Sequence, residues 1–176
     1  LVEECQLTAS DFVLPVFVTE ETSPSEISSM PGVFSWPAVG IEEKVREWRQ
    51  MGIRAFALFP KIDPQKKDGC GSEILNPDSL VYRAAAAINR LNLDIVLIAD
   101  LALDPYTTHG QDGVLLSDGV VDNDQTVEIL GNASMVCAGA GFDMVAPSDM
   151  MDGRVGIIRK TLDENSFQHT GIISYS

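Results

Sequence analysis

The chain of 176 residues carries 12 Lys and Arg against 26 Asp and Glu, a formal net charge of −14 at pH 7. That balance argues against nucleic acid, whose protein partners supply cations to neutralise phosphates, and against an anionic membrane surface. Apolar residues at 45% and charged residues at 22% describe a globular chain rather than a disordered one, and the length predicts a single domain over 1–176.

No run reaches the roughly 18 apolar residues of a membrane span. The longest nearly uncharged stretch, Ser79 to Leu93, is broken by Arg83 and Arg90. The first residues, Leu1-Val2-Glu3-Glu4, are acidic and lack the basic region of a signal peptide. No initiator Met is present, so the true start is expected upstream. Cys5, Cys70 and Cys137 are odd in number and widely spaced, which reads as free thiols in a reducing compartment rather than a disulfide framework.

Along the chain, Val13 to Val18 is a β-branched run and predicts a strand. The Pro- and Ser-rich segment Thr22 to Pro37 predicts a loop. Apolar residues at 41, 45, 48 and 51 have the spacing of one helix face, and Gly52 is the expected stop. Ala55 to Phe59 is apolar throughout, as in a strand covered on both faces, with Pro60 ending it. Lys61 to Asp78 is a polar loop, and Leu80 to Leu91, with four consecutive alanines, is a helix on propensity.

Ile95 to Ala99 is the next strand, with Asp100 at its C-terminal end. Asp118-Gly119 between apolar pairs predicts a hairpin over Val114 to Val121. Asn123 or Asp124 can cap a helix running to about Ala138, stopped by Gly139 and Gly141. Met144 to Ala146 predicts a strand, Val155 to Leu162 a helix, and Gly171 to Tyr175 a fifth strand. Apolar strands alternating with helices imply an α/β fold with a parallel sheet and helices outside it. A (β/α)8 barrel and a doubly wound sheet both fit this pattern. A barrel needs roughly 250 residues and rarely fewer than about 200, so a barrel reading makes this sequence a part of one.

Polar residues gather after strand ends, where α/β proteins bind ligands. The densest group runs from Asp100 to Gly113, with Asp100, Asp104 and Asp112 inside thirteen residues. Two carboxylates about 4 Å apart repel by about 4 kcal/mol at an effective dielectric near 20. Such a group needs a cation, a cationic substrate or a raised pKa, unless it is simply a solvated acidic loop. Oxygen-only ligation favours Mg²⁺ over Zn²⁺. His109 can be a general base, a ligand or a hydrogen-bonded organiser of the loop. The second group is Ala146 to Arg154, where Ser148 can contact substrate, or Ser148 or Asp149 can cap a helix starting near Asp152.

Together these segments resemble the porphobilinogen synthase (δ-aminolevulinic acid dehydratase) family over essentially the whole chain. The stretches that carry the resemblance are Leu14-Pro15-Val16-Phe17-Val18, Ser29-Met30-Pro31-Gly32-Val33, Ala57-Leu58-Phe59-Pro60, Asn76-Pro77-Asp78, Asp104 to Gly113 and Ala146 to Arg154. The resemblance implies a (β/α)8 TIM barrel of which this chain supplies about the first five strands, lacking the N-terminal arm and the later strands. It implies condensation of two 5-aminolevulinate molecules to porphobilinogen, in a homo-oligomer, usually an octamer. Zinc-dependent members carry three cysteines where this chain has Ala102, Asp104 and Asp112, so the resemblance implies the aspartate-rich type, with Mg²⁺ or a monovalent cation and no catalytic zinc. Gln111 stands where some zinc members place a His.

By matching position, Asp100 and Ser148 contact the substrate amine, and Asp104 and Asp112 hold a cation or that amine. The family's two Schiff-base lysines follow the Ser-Tyr-Ser motif, at which this sequence stops, so they are expected past Ser176. The competing expectation is a non-catalytic metal-binding or assembly module of the same descent. Aspartate-rich members occur in bacteria and plastids, so cytoplasm and plastid stroma both fit.

Overall fold

The computed structural model describes residues 4–175. Strand β1 is Val13–Thr19, and two short strands follow it, β2 at Ser25–Glu26 and β3 at Phe34–Pro37. Helix α1 (Ile41–Gln50) leads into β4 (Ala55–Pro60), and α2 (Leu80–Asn89) into β5 (Val96–Leu101). A hairpin of β6 (Val114–Leu115) and β7 (Val121–Asp122) precedes α3 (Asn123–Gly139). Strand β8 (Met144–Pro147), α4 (Arg154–Glu164) and β9 (Gly171–Ile172) complete the order.

The main sheet has the order β2-β3-β1-β4-β5-β8-β9, and every pairing but β2 with β3 is parallel. From β1 onward, each strand therefore lies beside the next strand that follows a helix. Across β1, β4, β5, β8 and β9 the order runs one way, without the central reversal of a doubly wound sheet; only the short β2 and β3 lie on the other side of β1. The two faces also differ. Val16, Val18, Phe56, Leu58, Leu97, Leu101 and Val145 pack against helix residues such as Val45, Ala84, Ile88, Leu130 and Ile158 in one large core. The opposite face presents Ala57, Ile98 and Ala146, with Phe59, Met144 and Ile173 around them and no helix residue in the cluster. One helix-covered face and one face of small and apolar side chains is the geometry of a barrel wall.

Several local expectations need correction. Thr22 to Pro37 is not all loop: β3 pairs Phe17 to Thr19 with Ser35 to Pro37, because the polar turn residues lie between two extended pieces rather than throughout. The cap of α3 is Asp122, whose carboxylate accepts from the Gln125 N–H at 3.1 Å, while Asn123 turns away to bond Asp152. Gly139 is the last helical residue; the left-handed stop is Gly141, at φ 91°. The last strand is shorter than Gly171 to Tyr175, with ladder pairing only at Gly171 and Ile172. Strand β5 begins at Val96 rather than Ile95. The hairpin forms as expected, with Asp118 accepting from the Val120 N–H. All three cysteines are free, with Cys137 buried.

Leu97 is fully buried between the sheet and the helices. Leu97→Ala in the intact protein is expected to cost about 2–5 kcal/mol in urea unfolding. A cost below about 1 kcal/mol would contradict a close-packed layer here.

Candidate active site

The register of β5 against β8 builds the site. Asp100 in β5 lies opposite Ala146 in β8, and Leu101 opposite Pro147. Side chains alternate along a strand, so Asp100 shares the helix-free face with Ile98, and Ser148, just past β8, shares it with Ala146. Asp100 thus meets the Ser148 hydroxyl at the carboxyl edge of the sheet. Burial raises the Asp100 carboxyl to about 6; Ser148 lowers it by hydrogen bonding, and the charges of Asp104 and Asp149 raise it again.

The chain then loops out and returns. Asp104 is exposed, yet desolvation first and the charge of Asp112 second raise its carboxyl, while Lys67 pulls it down. Asp104 and Asp112, eight residues apart in sequence, are therefore electrostatic neighbours. Two glycines permit the return in different ways. Gly110 adopts φ 72°, a left-handed turn. Gly113 supplies space: a Cβ there would stand 2.5 Å from Val121 Cγ1 and 2.9 Å from Thr126 Oγ1. Thr126 also accepts the Val114 N–H at 3.0 Å and donates to the Asp122 carbonyl at 2.6 Å, tying the loop's end to α3.

Neither Ser148 nor Asp149 caps α4, whose N-cap is Gly153 in the left-handed region. Asp149 is buried instead; its carboxylate accepts the Met151 N–H at 2.7 Å and lies 3.3 Å from Arg154 Nε. That approach is an ion pair without hydrogen-bond alignment, and Asp149 Oδ2 and Arg154 Nε find no other partner among the described residues. Desolvation leads Arg154's opposing effect, and the Asp149 carboxyl is raised. Asp149 thereby joins Asp100 and Asp112 in one acidic field. The hollow beside the ends of β1 and β4, lined by Thr19, Glu20, Glu21 and Lys61, is separate; its glutamates pair with Lys61, Lys66 and Arg83.

All four residues expected at the site, Asp100, Ser148, Asp104 and Asp112, gather at one sheet edge. Lys67 was not foreseen, since it lies 37 positions from Asp104 and only the pairing of β4 beside β5 brings their loops together. Asp149 and Arg154 were visible in sequence, but not as an ion pair.

Below the ordinary carboxylate range Asp100 is neutral in both states. Between that range and about 6, the folded protein holds a proton that the unfolded chain has released, so stability falls as pH rises through the window. Asp100→Asn is expected to stabilise the intact protein at pH 7.5 by on the order of 1–3 kcal/mol, with the gain fading toward pH 4. Thermal unfolding at the two pH values checks this, and a loss of stability at pH 7.5 would refute a desolvated Asp100.

Comparison with known proteins bears on this geometry. Residues 1–176 match the family model described as delta-aminolevulinic acid dehydratase. The chloroplastic delta-aminolevulinic acid dehydratase of Selaginella martensii is 43% identical over 176 residues, covering 99% of this chain and 42% of its own. That of Chlamydia pneumoniae is 42% identical over 177 residues, covering 100% and 53%. The solved delta-aminolevulinic acid dehydratase (porphobilinogen synthase) of Toxoplasma gondii, in complex with the reaction product porphobilinogen, superposes with a TM-score of 0.96 at 43% identity, over 99% of this chain and 50% of that one. This chain thus spans about half the length of these relatives, and its sheet superposes on part of the TIM barrel of that structure. The strand order, the helix-free face and a family match over every residue lead to one assignment: the chain belongs to the delta-aminolevulinic acid dehydratase family.

Proposed function

We propose that the protein to which this chain contributes condenses two 5-aminolevulinate molecules into porphobilinogen with loss of two waters, a step of tetrapyrrole biosynthesis. The observation that carries the reading is Asp100, desolvated beside Ser148 at the sheet's carboxyl edge, in a chain 43% identical to an enzyme solved with porphobilinogen. 5-Aminolevulinate brings an ammonium, a ketone and a carboxylate. A carboxyl held at about 6 exists in both protonation states near neutrality, so it can take a proton from the ammonium and free the amine for attack. The Ser148 hydroxyl holds that carboxyl and offers a second polar contact to the same amine. A buried carboxyl with a raised pKa at the ligand-binding edge of a parallel sheet marks a functional-site candidate.

Asp104 and Asp112 suit a cation. Their donors are oxygens only, and their mutual repulsion is relieved by positive charge. Among the described residues no three His, Cys, Asp or Glu side chains are gathered to hold a metal. Mg²⁺ commonly takes one or two carboxylates and keeps its waters, so this pair fits Mg²⁺ or a monovalent cation. A tetrahedral zinc site draws on thiolates or imidazoles, and the positions concerned are Ala102, Asp104 and Asp112. The bound cation would supply charge stabilisation; Asp104 and Asp112 would hold it, or accept hydrogen bonds from the substrate ammonium directly.

The covalent step is proposed to use lysines outside residues 1–176. Lys61, Lys66, Lys67 and Lys160 occupy loop or helix positions that match neither of the family's Schiff-base lysines. Self-association into a homo-octamer is also proposed; exposed Leu7 and Phe12 near the start of the described residues support it by offering uncovered apolar surface. No helix among the described residues is long and apolar enough to cross a membrane. The chloroplastic and bacterial relatives support plastid stroma or cytoplasm as the compartment.

Borohydride reduction of the intact protein with 5-aminolevulinate, followed by mass spectrometry, tests the reaction. A covalent adduct is expected, and its absence sinks the condensation reading. The cation proposal has its own check. A zinc-selective chelator should leave activity unchanged, whereas inactivation reversed only by zinc would overturn the aspartate-rich assignment.

A further inference from the structure

The loop after β4 and the loop after β5 are laced together beside the aspartate pair. The Thr108 N–H donates to the Asp68 carbonyl at 2.9 Å and the Asp68 N–H to the Tyr106 carbonyl at 3.3 Å, a bridge of two residues between otherwise irregular segments. His109 adds a side-chain clasp. Its Nε2 lies 3.1 Å from the Gly69 carbonyl oxygen, and its Nδ1 lies 3.2 Å from the Gln111 N–H.

A carbonyl only accepts and a backbone N–H only donates. The ring must therefore carry its proton on Nε2 and present a lone pair at Nδ1, which makes it neutral and fixes the tautomer. That lone pair is committed to Gln111, so it serves neither a metal nor a substrate proton. Both ends of the clasp are themselves anchored. The Asp68 carboxylate accepts from the N–H groups of Cys70 and Ser72, at 2.9 and 3.1 Å, and from the Ser72 hydroxyl. The buried Thr107 hydroxyl donates to the Gln111 carbonyl at 2.9 Å. Asp104 and Asp112 bracket the clasped stretch.

We propose that His109 is a positioning residue, a neutral clasp that locks the loop after β4 onto the loop after β5 and so holds Asp104 and Asp112 in their binding arrangement. It acts through the backbone of Gly69 and Gln111 and touches no reacting atom. The inference rests on the reading of Asp104 and Asp112 as the groups that hold the substrate amine or a cation.

Three variants of the intact protein test it. His109→Ala removes both bonds; His109→Gln can return a donor to Gly69; His109→Asn can return only an acceptor near Gln111. His109→Ala is expected to raise KM for 5-aminolevulinate about tenfold, the worth of one or two hydrogen bonds, with a smaller change in kcat. Amide exchange of 66–72 and 106–111 should accelerate in His109→Ala, and His109→Gln should recover both readouts better than His109→Asn. Unchanged exchange across these segments in His109→Ala overturns the clasp, as does a fall in kcat at constant KM. If the wild-type protein makes no porphobilinogen, the condensation reading fails, and the exchange comparison alone still decides the clasp.

Discussion

The site depends on one constraint, the placement of an ionisable carboxylate where water is scarce. Asp100 is the penultimate residue of β5, between β4 and β8, and its side chain is on the face that no helix covers. The strands cannot slip by one residue without sending Asp100 into the helix-packed core and a core residue to the site, because side chains alternate with period two. The hydrophobic layer on the other face, with Phe56, Leu58, Leu97 and Val145 fully buried, therefore sets the register that aims Asp100. Packing on one side of the sheet determines chemistry on the other.

The neighbouring acidic groups share that environment but solve it differently. Asp149 is buried and leans on Arg154; Asp104 is exposed and faces Asp112, with Lys67 close enough to oppose the repulsion. A fold that concentrates this much like charge at one edge is less stable than it could be, and positive charge brought to that edge would offset the repulsion. Glycine makes the arrangement reachable. Gly110 turns the chain where a side chain would be strained, and Gly113 passes between Val121 and Thr126 where a side chain would not fit.

Much of the fold was legible in the residues. The apolar runs of β1, β4, β5 and β8 and the periodicity of α1 and α2 are local signals, strong because burial demands them. The hairpin was equally plain, since Asp118-Gly119 fits a tight turn. The errors also have physical causes. β3 hides in a Pro- and Ser-rich segment because its strand conformation comes from pairing with β1, not from its own propensity. Asp122 rather than Asn123 caps α3 because Asn123 is drawn to Asp152, 29 residues on. Ser148 and Asp149 resemble caps in sequence, yet Gly153 takes that role and frees both for the sheet edge.

By itself, then, the sequence determined the α/β class from its alternating pattern, and the family and its barrel through the motifs it shares with that family. Those properties reside in residue types and short spacings, which need no third dimension to read. Only the tertiary structure decided which groups share an environment. That Asp100 meets Ser148, that Lys67 opposes Asp104, that Arg154 attends Asp149, and that the His109 ring spans two loops all follow from strands far apart in sequence lying side by side. Desolvation and Coulomb interaction depend on distance in space, and no pattern along the chain encodes that distance until the sheet has formed.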